Sequence, residues 1–129
     1  MVEVEIRGKK FPLCLTVAAV DKVNEKCGGL GNLNAFLKGD GNPSQALCNM
    51  MWLMGVMLQE GEENRLIESR FAGEKTSRRE VPGPDAIMHL LTPGAAQMYR
   101  MAVWQAVGES MHQEIEVDPS KNVESAERA

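Results

Sequence analysis

The chain is 129 residues long, 43% hydrophobic and 25% charged, with a formal net charge of −4. A chain of this size reads as one domain that buries about two-thirds of its unfolded surface, enough to fold without disulfides or metal. Residues 1–108 carry twelve acidic and twelve basic side chains, so six acidic against two basic in 109–129 supply the whole imbalance; a neutral body with an acidic end argues against nucleic acid as the main partner, because phosphate binding starts from an excess of Lys and Arg.

Near the start, Val2, Val4 and Ile6 alternate with Glu3, Glu5 and Arg7, the period-two pattern of a half-buried strand. Gly8-Lys9-Lys10 is the predicted turn, and Phe11, Leu13 and Leu15 alternate in a second run, so residues 2–15 read as a β-hairpin with Pro12 at an edge or strand start. Two strands alone are marginal in water, so the hairpin must lean on helices or pair with another chain. Thr16 suits the N-cap of a helix carrying Val17, Ala18, Val20, Val23 and Cys27 inward, stopped by Gly28-Gly29. Asn32 to Lys38 offers a short helix with Leu33, Phe36 and Leu37 facing the core, ended by Gly39.

Asn42 to Gly61 is the densest apolar stretch and is predicted as the central helix, with Asn42 as N-cap, Pro43 at the first helical position and Gly61 as its left-handed stop. Ala46, Leu47, Met50, Leu53, Met54, Met57 and Leu58 recur at three- and four-residue spacing, and Met51, Trp52 and Val56 widen the stripe. A helix apolar nearly all round needs cover on more than one side. After it, Glu62 to Phe71 is expected as a separate surface helix, with Glu62, Glu63 and Glu68 exposed and Arg65 and Arg70 near enough for weak pairing. Ala72 to Asp85 has no apolar period and reads as a mobile loop; its basic residues Lys75, Arg78 and Arg79, bracketed by Glu74 and Glu80, read as solvated. Asp85 to Leu91 is a short helix anchored by Ile87, Leu90 and Leu91. Thr92-Pro93 then opens a long helix to about Met111, with Ala95, Met98, Tyr99, Ala102, Val103, Ala106 and Val107 on its inner stripe. The expected fold class is therefore α+β, predominantly helical: an N-terminal hairpin on a bundle of about four to six helices. One domain spans 1–111, and 112–129 is expected to be a polar, acidic, disordered tail.

Catalytic and metal constellations are not found in the sequence. Gly29-Leu30-Gly31 resembles half of a dinucleotide fingerprint, but Asn34 stands where the third glycine belongs and a helix, not a strand, comes before it. Cys14, Cys27 and Cys48 with His89 and His112 contain no closely spaced ligand pair, so no metal or cofactor is expected, and the cysteines read as core fillers of a reducing compartment. No basic segment leads into an apolar signal region, and Met50 to Leu58 is too short to cross a bilayer, so the expected location is the cytoplasm. The methionines carry more information: Met50, Met51, Met54 and Met57 share one helix and Met98, Met101 and Met111 another, and clustered methionines either fill irregular core gaps or form an adaptable binding surface.

The hairpin running into FPLCLTVAAVDKVNEKCGGL, the proline-started apolar helix and the later LLTPGAAQMYRMAVWQAV together resemble the small tail assembly chaperones of long-tailed phages and prophages, over roughly residues 2–111. The resemblance implies a non-enzymatic protein of the bacterial host cytoplasm that binds and solubilises the helical tape-measure protein, self-associates, and in a frameshifted longer form recruits tail-tube subunits. It implies no catalytic, metal or cofactor residues. Met50, Trp52, Met54, Met57, Met98, Met101 and Trp104 are the expected source of the partner surface, some of them belonging to the core instead. The alternative is a small cytoplasmic enzyme or ligand-binding domain with a pocket between the two long helices containing Cys48 or His89. A DNA-binding regulator is disfavoured, since Arg100 is the only basic residue between Pro93 and Met111.

Overall fold

A computed structural model describes residues 1–112. Two antiparallel strands, β1 (Glu3–Ile6) and β2 (Lys9–Pro12), are followed by six helices: α1 (Val17–Cys27), α2 (Leu33–Leu37), α3 (Pro43–Phe71), α4 (Pro84–Leu90), α5 (Pro93–Gln97) and α6 (Arg100–His112). The fold is thus α+β and predominantly helical. Residues 113–129, where most of the acidic tail was expected, lie outside the described part. Among the described residues no helix is long and apolar enough to cross a membrane.

The hairpin turn is Arg7-Gly8, one residue earlier than the predicted Gly8-Lys9-Lys10. Both residues have positive φ, 52° and 81°, as a two-residue turn matched to strand twist requires, and Gly8 adopts this without a Cβ penalty. Ile6 then pairs with Lys9, Val4 with Phe11 and Glu3 with Pro12. This register puts Val2, Val4, Ile6, Phe11, Leu13 and Leu15 on the buried face.

The start signals act as the sequence suggests. Thr16 caps α1 by accepting from the Ala19 N–H, Asn42 caps α3 by accepting from Gln45, and Thr92 caps α5 by accepting from Ala95. Gly28, left-handed at φ 83°, ends α1 as predicted. The inward side of α1 differs: Ala19 and Val23 are buried, while Val17 is 88% exposed, because it sits at the first helical position where the chain leaves the hairpin.

Gly61 does not stop the central helix. Helix α3 runs unbroken for 29 residues to Phe71, about 44 Å at 1.5 Å per residue. Gly61 lies in its middle because a Cβ there would collide with the carbonyl oxygen of Pro12, where the end of β2 crosses the helix. Gly55 does the same on another side, with Pro84 Cα only 2.5 Å from where its Cβ would stand. The two glycines let the hairpin and α4 approach the α3 backbone directly, and Cys14 N–H donates to the Met57 carbonyl at 3.3 Å. Hairpin, α1, α2, α4, α5 and α6 all pack on α3.

The predicted long C-terminal helix is two helices. At Met98 and Tyr99 the N–H groups bond three residues back, to Ala95 and Ala96, which tightens the chain into a turn between α5 and α6. Met98 is thereby removed from the inner stripe and is 81% exposed, while Val103 and Ala106 are buried as expected and Ala96, in place of Ala95, is the buried residue of α5. The Tyr99 hydroxyl donates to the Glu5 carbonyl at 2.7 Å, so this break also ties the outer edge of β1 to the helices.

Candidate partner-binding surface

The structure divides the seven candidate contact residues. Met50, Met54 and Met57 are 0% exposed and belong to the core of this chain, because α3 is covered on every side by other elements. Trp52 is half-buried within the chain's own packing: its ring meets Phe36 edge-on at 5.7 Å between centroids, and Lys26 Nζ sits 5.4 Å from its centre. Met98 and Met101 are exposed, and Trp104 is half-buried at the edge of a cleft.

There, Met101, Trp104, Gly108 and Met111 follow one another at three- and four-residue spacing along α6. Met101 is 81% exposed, Met111 is exposed, and Trp104 is half-buried. Trp104, Val107, Gly108 and Met111 form one wall of an open cleft of about 350 Å³, and Leu30, Gly31, Leu33 and Asn34 form the other. A Cβ at Gly108 would meet nothing within 4 Å, so that glycine widens the cleft and is not forced by packing. Among the described residues no charged side chain lines it. Leu30, Gly31 and Leu33 escaped the sequence reading as contributors, since a three-residue 3₁₀ turn at Leu30–Asn32 carries no periodic signal of its own.

A second, smaller apolar pocket of about 200 Å³ lies between α3, α4 and α5, lined by Leu47, Cys48, Met51, Ile87, Met88 and Leu91 with Thr92, Pro93 and Ala96. It includes Cys48, as the alternative reading asks, but leaves His89 outside, where its Nδ1 lies 2.9 Å from the Asp85 carbonyl oxygen. Cys48 is exposed and so is not the core filler expected; Cys14 and Cys27 are half-buried, and burial pushes both thiols above their ordinary value. Among the described residues no three His, Cys, Asp or Glu side chains gather as metal ligands would.

The charged half of α3 departs most from expectation. Glu62 is 3% exposed, not on a wet face. Its carboxylate accepts from Arg65 Nε and Nη2 at 2.8 and 2.7 Å, from the Arg79 N–H at 2.5 Å and from Arg79 Nε at 3.1 Å. The Arg65 guanidinium, followed by the Arg79 bonds, outweighs burial and holds this carboxyl at about 2. Arg65 also donates to Thr76 Oγ1 and the Ser77 carbonyl, and Arg78 pairs with Glu63. The basic residues Lys75, Arg78 and Arg79 are exposed as expected, but Arg78 and Arg79 also reach back to α3, through partners 15 and 17 residues away that local charge patterning does not reveal. Two residues before Glu62, Glu60 accepts from Thr16 Oγ1 at 3.0 Å and pairs with Lys22, fastening α1 to α3.

No family profile, characterised protein or solved structure matches this chain.

Proposed function

We propose that this protein is a non-enzymatic tail assembly chaperone of a long-tailed phage or prophage, acting in the bacterial cytoplasm. It binds the apolar helical surface of the tape-measure protein before the tail tube forms. The observation that carries the reading is an exposed apolar face: Met98 and Met101 are 81% exposed, and Trp104, one turn along α6 from Met101, lines an open cleft with no charged side chain among the described residues. An amphipathic helix binds by laying its apolar side chains into such a groove, and methionines let the groove adapt to successive segments of a long partner. The resemblance over residues 2–111 adds the identity of the partner, and extends the proposal to self-association and to contacts with tail-tube subunits.

Co-expression with the product of the longest downstream reading frame tests this. A long coiled-coil protein is expected to remain in solution and co-purify with the wild-type chain, and to be lost with the Met98→Glu, Met101→Glu double variant. Recovery of the long protein in equal amount without this chain, or with the double variant, sinks the proposal. The Cys48 pocket favours a second reading, a small apolar ligand held between α3 and α4. Native mass spectrometry of freshly purified protein that finds only the bare chain mass removes it.

A further inference from the structure

Segment 72–83 crosses from the end of α3 to the start of α4 without regular secondary structure past its first turn, and its first apolar anchor is Val81. From Glu74 to Glu80 every residue but Thr76 is exposed, so apolar burial contributes little to its position. Besides the Glu74 N–H bond to the Ser69 carbonyl at 2.9 Å and the Arg78–Glu63 pair, the polar bonds that hold it converge on one buried carboxylate. Glu62 holds Arg79 directly through the backbone N–H and the side chain, and orients the Arg65 guanidinium that in turn reaches Thr76 and Ser77. Arg79 then continues over the hairpin, with its Nη1 3.4 Å from the Lys10 carbonyl oxygen and its guanidinium 5.4 Å from the centre of the Phe11 ring. Behind it, Glu80, Val81, Pro82 and Gly83 form one side of an open cleft of about 430 Å³ whose other side includes Ile6, Phe11 and Leu90.

We infer that residues 74–82 are a strap over the hairpin flank, latched chiefly through Glu62 and released as a unit when that carboxylate is lost. A segment fixed by few apolar contacts and many surface hydrogen bonds belongs to the low-stability end of a fold and opens before the core does. The arrangement makes the opening cooperative, because all three anchoring residues, Thr76, Ser77 and Arg79, depend on the same acceptor. Glu63 and Arg78 are different: that pair is exposed on both sides, where solvent screens the attraction, and it serves no other bond. Release uncovers Phe11 and the outward carbonyl of Lys10 and widens the cleft that Val81 lines, a second apolar face on the side of the hairpin.

Limited trypsin digestion, followed by mass spectrometry, reads the strap at Lys75 and Arg78. Glu62→Gln and Arg79→Gln are each expected to raise cleavage at these sites about tenfold or more, as fast local opening predicts, and Glu63→Gln by less than about threefold. Cleavage within α3 or α6 stays at the wild-type rate in all three. The inference is overturned if Glu62→Gln and Glu63→Gln accelerate strap cleavage equally, or if neither Glu62→Gln nor Arg79→Gln accelerates it. It is also overturned if cleavage in the helices rises in parallel with the strap. Arg79 projects from the strap and not from the core, so Arg79→Gln decides the matter should Glu62→Gln fail to fold.

Discussion

Two groups of methionines recur in the sequence at the same three- and four-residue spacing, yet Met50, Met54 and Met57 on α3 are wholly buried while Met98, in the turn before α6, and Met101 on α6 are 81% exposed. The difference lies in their neighbours. Helix α3 has elements packed on all sides, with Gly55 and Gly61 letting α4 and the hairpin come within backbone contact. Helix α6 packs its Val103 and Ala106 on the core, and among the described residues Met101 is left 81% exposed while Trp104 and Met111 border an open cleft. Periodicity establishes that a helix has an apolar face. Whether that face is core or contact surface depends on how many other elements reach it, which is a property of the whole fold.

The largest effect that could break this contrast is a charge at its buried end. Met54→Glu places a carboxylate at a position with no solvent exposure, a cost of about 5 kcal/mol or more, comparable to the entire stability of a small domain. The expected result is insoluble protein or loss of the cooperative melting transition by circular dichroism; a folded, cooperatively melting variant would show that Met54 reaches solvent. Met57→Ala keeps the site apolar and leaves a cavity, so its expected loss is about 2–5 kcal/mol, read from the denaturation midpoint in urea. A loss below about 0.5 kcal/mol, the level of an ordinary surface substitution, would put Met57 in the same class as Met101.

Helix starts were legible because they are local: Thr16, Asn42-Pro43 and Thr92-Pro93 each cap the helix that follows through side chains within three residues. The hairpin's buried face was legible from its alternation. The stop at Gly61 was misread because a glycine that ends a helix and a glycine that admits a neighbouring strand look alike in sequence. Nor did anything mark the Met98-Tyr99 break, since neither residue is a helix breaker and the turn is set by Tyr99 reaching the hairpin. Of the candidate surface, Met98, Met101 and Trp104 were named, but the opposite wall, Leu30 to Asn34, was not. Gly61→Ala tests the close approach on which burial of the α3 methionines depends. In an uncrowded helix interior this change stabilises by about 1 kcal/mol. Here the new methyl meets the Pro12 carbonyl, so the expected outcome is the opposite sign, a loss of about 1–3 kcal/mol by denaturation. A gain would mean that the hairpin does not press on α3 at that point.

The same comparison holds between adjacent carboxylates. Glu62 is buried among guanidinium groups and titrates at about 2 in place of 4.5, while Glu63 faces solvent. A carboxyl whose folded-state value is depressed stabilises the fold fully above its unfolded value and loses that contribution as pH falls through the window down to its folded value. Wild-type melting temperature should therefore drop between pH 4.5 and pH 2 more steeply than that of Glu62→Gln, and the two curves should converge at the acid end. Parallel curves across that window would mean that Glu62 titrates like an ordinary surface carboxylate.

The smallest expected effect on stability is at the exposed end, and there it is the most informative. Met101→Glu is the same chemical change as Met54→Glu, made 81% exposed to water. A surface substitution away from caps and buried groups shifts stability by no more than about 0.5 kcal/mol, so melting and circular dichroism should match the wild type. If the α6 face is the binding surface, the same variant carries a charge into an apolar interface, and affinity for the partner helix should fall by a factor of about ten or more, as truncation of interface anchors does. Binding measured by titration calorimetry on this folded variant separates the two roles of methionine directly. Unchanged affinity with unchanged stability would leave α6 as an exposed but unused face, whereas lost stability would mean that Met101 is packed in the protein in solution, as it would be if a second copy covers α6.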